Sequence, residues 1–320
     1  MKIDKNKGGN LGMNYSTFTF KSSNNKSTIH GVIWAPEVEP TAILQIAHGM
    51  TEYIERYDEF ARFMVDNKIL VVGNDHIGHG KSVDSENEWG YFAKKDGSAC
   101  VVEDMHHLTK IMKKKYPDTP YYLLGHSMGS FMVRRYIMNY GKALTGAIIT
   151  GTGNQPYSMI IGGKALVKID TLFRGEKYRS KFIEMIMFGG YNNRIKDAKT
   201  PCDWLTTDEA IVEKYLKEPS CTFIFTLNGF NGLLDTILYI MKKRNIEKIP
   251  KNLPILIASG VEDPVGNYGK DVQSLYEELK KTEINNIQLK LYKGCRHEIL
   301  NEVTRQTVYQ DILEWILAIN

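Results

Sequence analysis

A chain of 320 residues has room for one large domain or for a domain carrying an insertion. Its 42% hydrophobic and 24% charged content is ordinary for a globular protein and excludes a disordered or fibrous chain. A net charge of +4 is too mild to point to nucleic acid, and no apolar run approaches the ~20 residues that would cross a bilayer.

Residues 1–14 read as a polar leader, without the apolar segment of a secretory signal. Four scattered cysteines (Cys100, Cys202, Cys221, Cys295) form no C-x-x-C pair, so a reduced, cytoplasmic setting is expected. Residues 17–21 and 28–34 alternate in part, like an antiparallel edge pair. Residues 42–47 and 69–73 are continuous apolar runs, the pattern of strands buried on both faces. Between them, 54–67 is amphipathic and helical. A second helix spans 98–115 and stops at Tyr116-Pro117. A strand at 120–124, a helix at 130–138 and a strand at 144–150 follow. Late strands fall at 255–259 and 287–292, with helices near 268–281 and 303–318.

Such alternation predicts an α/β fold, a mostly parallel sheet with helices on both faces. It breaks between 153 and 252, where only helices are expected: 163–173, 178–188, 208–216 and 231–244. The expected organisation is a core at 15–152 and 253–320, and a helical cap at 153–252 whose late part can rejoin the core.

The densest motif is Gly125-His126-Ser127-Met128-Gly129, a G-x-S-x-G between the strand at 120–124 and the helix at 130–138. Strand, tight glycine turn and helix make a nucleophile elbow, which presents the Ser127 hydroxyl at the carboxyl edge of the sheet. A serine needs a base, and on such a fold the partners follow in the order serine, acid, histidine. Of eight histidines only His297 lies after Ser127. Just past a buried strand stand Glu262 and Asp263; Asp263 is favoured, because Pro264 stiffens its loop, and Glu262 is its rival. Oxyanion donors are expected from the backbone N–H groups of Met128, after the serine, and Met50, in the loop after the strand ending at Ala47.

Other signals fail. Gly78-His79-Gly80-Lys81-Ser82 ends like a phosphate loop, but Asp75 stands where that motif needs glycine. His297-Glu298 lacks the second histidine of a zinc peptidase, and adjacent His106 and His107 diverge on a helix. No dinucleotide fingerprint follows the first strand.

With these residues in view, the chain resembles an α/β-hydrolase of the monoglyceride lipase and lysophospholipase branch, the group called serine aminopeptidase-like. The carrying residues are His48-Gly49-Met50-Thr51-Glu52, Arg56-Tyr57, Asp75 to Ser82, the elbow, Gly260 to Val265 and His297-Glu298. Asp203 to Asp208, Tyr215-Leu216, Pro219 and Cys221 of the cap belong to the same pattern. The resemblance spans residues 15–317. It implies Ser127, Asp263 and His297 as a triad, Met50 and Met128 as oxyanion donors, and ester hydrolysis through an acyl-enzyme without metal or cofactor. Tyr53 and Ile77 depart from it, where histidine and arginine are frequent, and they leave the substrate class open.

Residues 153–200 hold nine basic and four acidic side chains, a positive excess larger than that of the whole chain. Apolar residues interleave with them, from Met159 to Ile161 and from Phe182 to Phe188. A basic, apolar lid suits a small-molecule acyl ester, a monoacylglycerol or a lysophospholipid, and transient contact with an anionic lipid surface. His48, Gly49, His126, Met159 and Ile186 are the expected substrate contacts. The competing readings are an aminopeptidase, which would want acidic groups in the cap, and a non-catalytic binding protein on the same fold.

Overall fold

The computed structural model describes residues 2–4 and 13–319. Most of the expected leader therefore lies outside the described residues. Its described parts, residues 2–4 and 13–14, are strand.

Among the described residues nine strands form one sheet: β1 (Lys2–Asp4), β2 (Met13–Lys21), β3 (Thr28–Pro36), β4 (Ala42–Ala47), β5 (Ile69–Asn74), β6 (Tyr121–His126), β7 (Gly146–Thr150), β8 (Ile255–Gly260) and β9 (Ile287–Tyr292). Their order is β1-β2-β3-β5-β4-β6-β7-β8-β9. The first three strands and β5 pair antiparallel, and β5 through β9 pair parallel. Every residue of β4 to β8 is buried, as expected of parallel strands covered on both faces, whereas β9 at the edge is half exposed.

The helices of the first half are α1 (Asp58–Asp66), α2 (Gly97–Lys115) and α3 (Met128–Tyr140). A tight turn at Ile54–Tyr57 precedes α1, so the helix expected over 54–67 is split. Between β7 and β8 come α4 (Tyr157–Arg174), α5 (Lys181–Phe188), α6 (Glu209–Lys217), α7 (Leu227–Ile240) and α8 (Lys243–Ile246). Side chains cap three of these starts: Ser180 receives the Ile183 N–H, Asp208 the Ala210 N–H and Thr226 the Gly229 N–H. The last helices are α9 (Lys270–Lys280) and α10 (Arg305–Ile319).

Successive residues of a strand face opposite sides, and the core divides accordingly. Leu44, Leu124, Ile148 and Ala258 meet α1 (Phe60, Met64) and α10 (Ile312, Trp315, Ile316). Leu123, Ile149 and Ile257 meet α2 (Met105), α3 (Met132, Val133) and α9 (Val272, Leu275). The inserted α7 packs on α2, α3 and α4, and buries Phe230, Leu234 and Ile237. Both α4 and α5 leave much of their apolar surface exposed. No helix among the described residues is long and apolar enough to cross a membrane.

Candidate active site

Ser127 is the single residue between β6 and α3, at φ 52° and ψ −120°. An L side chain is strained there, and such strain persists only where the surroundings over-determine it. Here they do. A Cβ on Gly125 would strike the Gly129 carbonyl oxygen, and one on Gly129 would strike the carbonyls of Ala47 and His48. The Ser127 N–H donates to Thr150 O at 3.0 Å, and the Ser130 hydroxyl donates to Ser127 O at 2.6 Å. The serine side chain opens into a cavity of about 660 Å³ between the sheet edge and the inserted helices.

His297 lies in the loop after β9 and lines the same cavity. Its Nδ1 is 3.0 Å from both carboxylate oxygens of Asp263. Asp263 is fully buried; it accepts the Val265 N–H at 2.8 Å and the Ser259 hydroxyl at 3.3 Å. A proton on Nδ1 donated to that carboxylate leaves the Nε2 lone pair free to accept another. Burial alone would lower the affinity of this ring for a proton. The Asp263 carboxylate overcomes it, aided by Glu298 and Glu52, and the His297 pKa ends above its ordinary value. The rival acid, Glu262, is exposed. Among the described residues no hydrogen bond joins the Ser127 hydroxyl to the His297 ring; contacts of this kind often tighten only with substrate present.

The His126 ring lies 4.7 Å from that of His297, tilted by 48° to it. Burial, reinforced by the positive charge that His297 can carry, pushes its pKa down to about 3. It is therefore neutral at neutral pH. Met50 and Met128 both line the cavity. The Met128 N–H belongs to the first turn of α3, where no intrahelical acceptor exists.

A buried charge network, not read from the sequence, adjoins the site. Arg56 donates to Glu52 Oε2 at 2.7 Å and holds Glu298 in a two-pronged grip at 2.8 Å each. Glu52 also takes the Tyr57 hydroxyl and the Gly49 N–H. Gly49 precedes Met50 and Glu298 follows His297, so one guanidinium ties together the loops that carry both. Burial would raise the Glu298 carboxyl, but Arg56 outweighs it and the pKa falls to about 2. For Glu52 burial and the Glu298 charge prevail, and its carboxyl is raised. The pattern available to find the network was Glu52 and Arg56 at helical i,i+4 spacing, with Glu298 beside the one downstream histidine.

Of the five expected substrate contacts, Gly49, His126, Met159 and Ile186 line the cavity. His48 does not, and that expectation is corrected. Its ring is fully buried and points away, beside His76 and His79. Nε2 accepts the His76 N–H at 2.9 Å, which puts the proton on Nδ1, 2.8 Å from Gly49 O. Burial, with the charge His79 can carry, drives its pKa far below the usual value, so the ring is a neutral structural spacer. Trp204, unassigned from sequence, packs its ring 5.0 Å from that of His297, tilted by 43° to it. No three His, Cys, Asp or Glu side chains among the described residues are placed to hold a metal ion.

The profile of the family described as "Serine aminopeptidase, S33" matches residues 38–304. A "Monoglyceride lipase" of Mus musculus is 38% identical over 293 residues, which are 88% of this chain and 84% of that one. A "Monoacylglycerol lipase" of Mycolicibacterium smegmatis is 24% identical, over 89% of this chain and 91% of its own. Among solved structures, a highly thermostable carboxyl esterase from Bacillus coagulans, in complex with glycerol, superposes with a TM-score of 0.88 at 30% identity. That match covers 95% of this chain and 98% of the esterase.

Proposed function

Since the chain belongs to the serine aminopeptidase S33 family, we propose that it is a serine ester hydrolase acting on monoacylglycerol-type substrates, with Ser127, His297 and Asp263 as its triad. The observation that carries this reading is the His297–Asp263 pair, whose histidine shares one cavity with a strained elbow serine. His297 Nε2 takes the Ser127 proton as the oxygen attacks the acyl carbonyl. The N–H groups of Met50 and Met128 receive the oxyanion. The tetrahedral adduct collapses, the C–O bond to glycerol breaks, and the His297 proton leaves with the alkoxide. Water, deprotonated by the same ring, then releases the fatty acid from Ser127.

The apolar part of the cavity wall, with Met159, Ile160, Leu166 and Met185, suits an acyl chain. Lysophospholipids offer the same acyl ester and are a second substrate class in this reading. On the insertion Leu172 and Phe173 of α4 are 83% and 84% exposed, Phe182 of α5 is exposed as well, and the basic residues Lys168, Arg174 and Lys177 fall in the same stretch of chain. Large exposed apolar surface of this kind marks an interaction site, and here we assign it to transient contact with the lipid surface that holds the substrate.

An aminopeptidase would need a free carboxylate for an α-ammonium group. Of the three carboxylates in the cavity wall, Glu52 and Glu298 are held by Arg56, and Glu184, near Lys181, is the one without a salt bridge among the described residues, so amino-acid amides belong in the test.

The test is a panel of monoacylglycerols, lysophospholipids, acetyl esters and amino-acid amides. Medium- or long-chain monoesters should turn over fastest, and Ser127→Ala should lose both turnover and fluorophosphonate labelling. Amides turned over faster than acyl glycerols, or labelling retained in Ser127→Ala, would sink it.

A further inference from the structure

The loop that carries His297 is not held by the core alone. A segment of the insertion, residues 203–207 between α5 and α6, runs beside it. The His297 N–H donates to Trp204 O at 3.4 Å and the Glu298 N–H to Leu205 O at 2.7 Å. From the same loop Arg296 Nη1 donates to Asp203 O at 2.6 Å and Thr206 O at 3.1 Å. The two segments meet at Glu302. Its Oε1 accepts the Arg296 N–H at 2.7 Å, its Oε2 accepts the Thr207 N–H at 3.1 Å, and the Thr207 hydroxyl donates to the same oxygen.

Glu302 is fully buried, and among the described residues no salt bridge reaches its carboxylate. A buried carboxylate costs several kcal/mol unless donors replace its lost water. The donors on Glu302 are two backbone N–H groups and a hydroxyl, all uncharged. Two of its partners belong to the insertion and one to the residue before His297. A Leu or Met of similar volume would fill the space but leave three donors on the two strips without their acceptor. The carboxylate therefore serves the joint between the strips rather than the filling of the core.

We propose that Glu302 is a positioning residue that makes the cap segment 203–207 and the His297 loop move as one body, so that the cap holds the base in register with the serine. The proposal rests on the triad reading above. It predicts that loosening the cap at Glu302 costs turnover even for an ester too small to need the cap for binding.

Acetyl and long-chain nitrophenyl esters test this in Glu302→Gln and in Arg296→Lys, which frees Asp203 O and Thr206 O without a change of charge. Both variants should lower kcat between about ten- and a hundred-fold on both esters, the scale of a small misplacement of a reacting group, with KM within about twofold. The acid limb of kcat/KM should slide down toward the ordinary imidazole value, ~6.5, as the hold of Asp263 on the ring loosens. The His297 Nδ1 proton, followed by NMR without substrate, should shift or broaden in both. A defect confined to KM for the long-chain ester would overturn the proposal, because the cap would then serve binding only. So would kcat unchanged in a folded Arg296→Lys, whatever becomes of Glu302→Gln. Wild-type protein that hydrolyses neither ester and resists fluorophosphonate would sink the hydrolase reading itself, a failure distinct from either.

Discussion

At the residue scale the chemistry turns on one imidazole with opposed influences on it. Burial pushes His297 toward neutrality and Asp263 pushes it toward charge; the carboxylate wins. A general base works only when neutral, so kcat/KM should climb with pH through a value above the ordinary ~6.5 of histidine. Asp263→Asn removes the stabilising charge and leaves burial unopposed. Its acid limb should move below the wild-type one, and its turnover should drop by up to about 10⁴-fold, as in other triads that lose the acid. A pH profile of fluorophosphonate labelling reads both effects, and an unmoved limb would show that the carboxylate does not act on the ring. How far such residues could be read from sequence differs one by one. Ser127 and His297 stand out because chain order leaves a single downstream histidine. Pro264 already favours Asp263 over Glu262 in sequence, and the backbone path turns Asp263 inward and leaves Glu262 exposed. His48 misled, because a histidine at a strand end beside a glycine looks the same whether its ring faces a cavity or the interior.

At the element scale the elbow depends on how closely α3 approaches β4 and β6. Gly129 sits against the carbonyls that end β4, so Gly129→Ala must push the helix away from the sheet. Overpacking of this sort should cost about 1–3 kcal/mol in thermal or urea unfolding, and it should slow labelling of Ser127 as well. A variant as stable and reactive as wild type would mean that the turn tolerates more slack than its geometry shows. The buried strands were legible as short apolar runs, but their order was not, since β5 stands between β3 and β4. Helix limits were less so. The start of α7 is obscured by Gly229 and Gly232, which weaken its helical pattern, and α4 extends back to Pro156, well before its strongest periodicity. The contacts of residues 203–207 with the His297 loop left no trace in sequence. They join segments far apart in the chain, and each one has a backbone group on at least one side or a common polar pair, neither of which marks a partner in sequence.

At the scale of the whole molecule the exposed apolar side chains are unevenly spread. Leu172, Phe173, Phe182 and Met185 fall on α4 and α5, two helices that also help to line the cavity, with basic residues among them in the chain. If this face meets lipid, Leu172→Glu together with Phe173→Glu should weaken binding to anionic vesicles, by sedimentation, and slow hydrolysis of vesicle-borne monoacylglycerol. Hydrolysis of a dispersed short ester should be spared. Equal loss on both substrates would place the defect in the cavity instead.

The insertion also bears on how the chain folds and diverges. β7 and β8 lie side by side, Ala147 opposite Ile255, yet the whole of α4 to α8 intervenes. Joining that ladder means closing a long loop, a slow, non-local step, so the edge from β8 onward should assemble after the sheet's earlier strands. Once a loop is this long its entropy grows only slowly, about 0.6 kcal/mol for each doubling. Lengthening or shortening the inserted helices therefore hardly alters the cost of closing the sheet. The stretch from α4 to α6 can change length at little cost in loop closure, so long as α7 keeps its place on α2 and α3 and the replacement still grips the loop after β9.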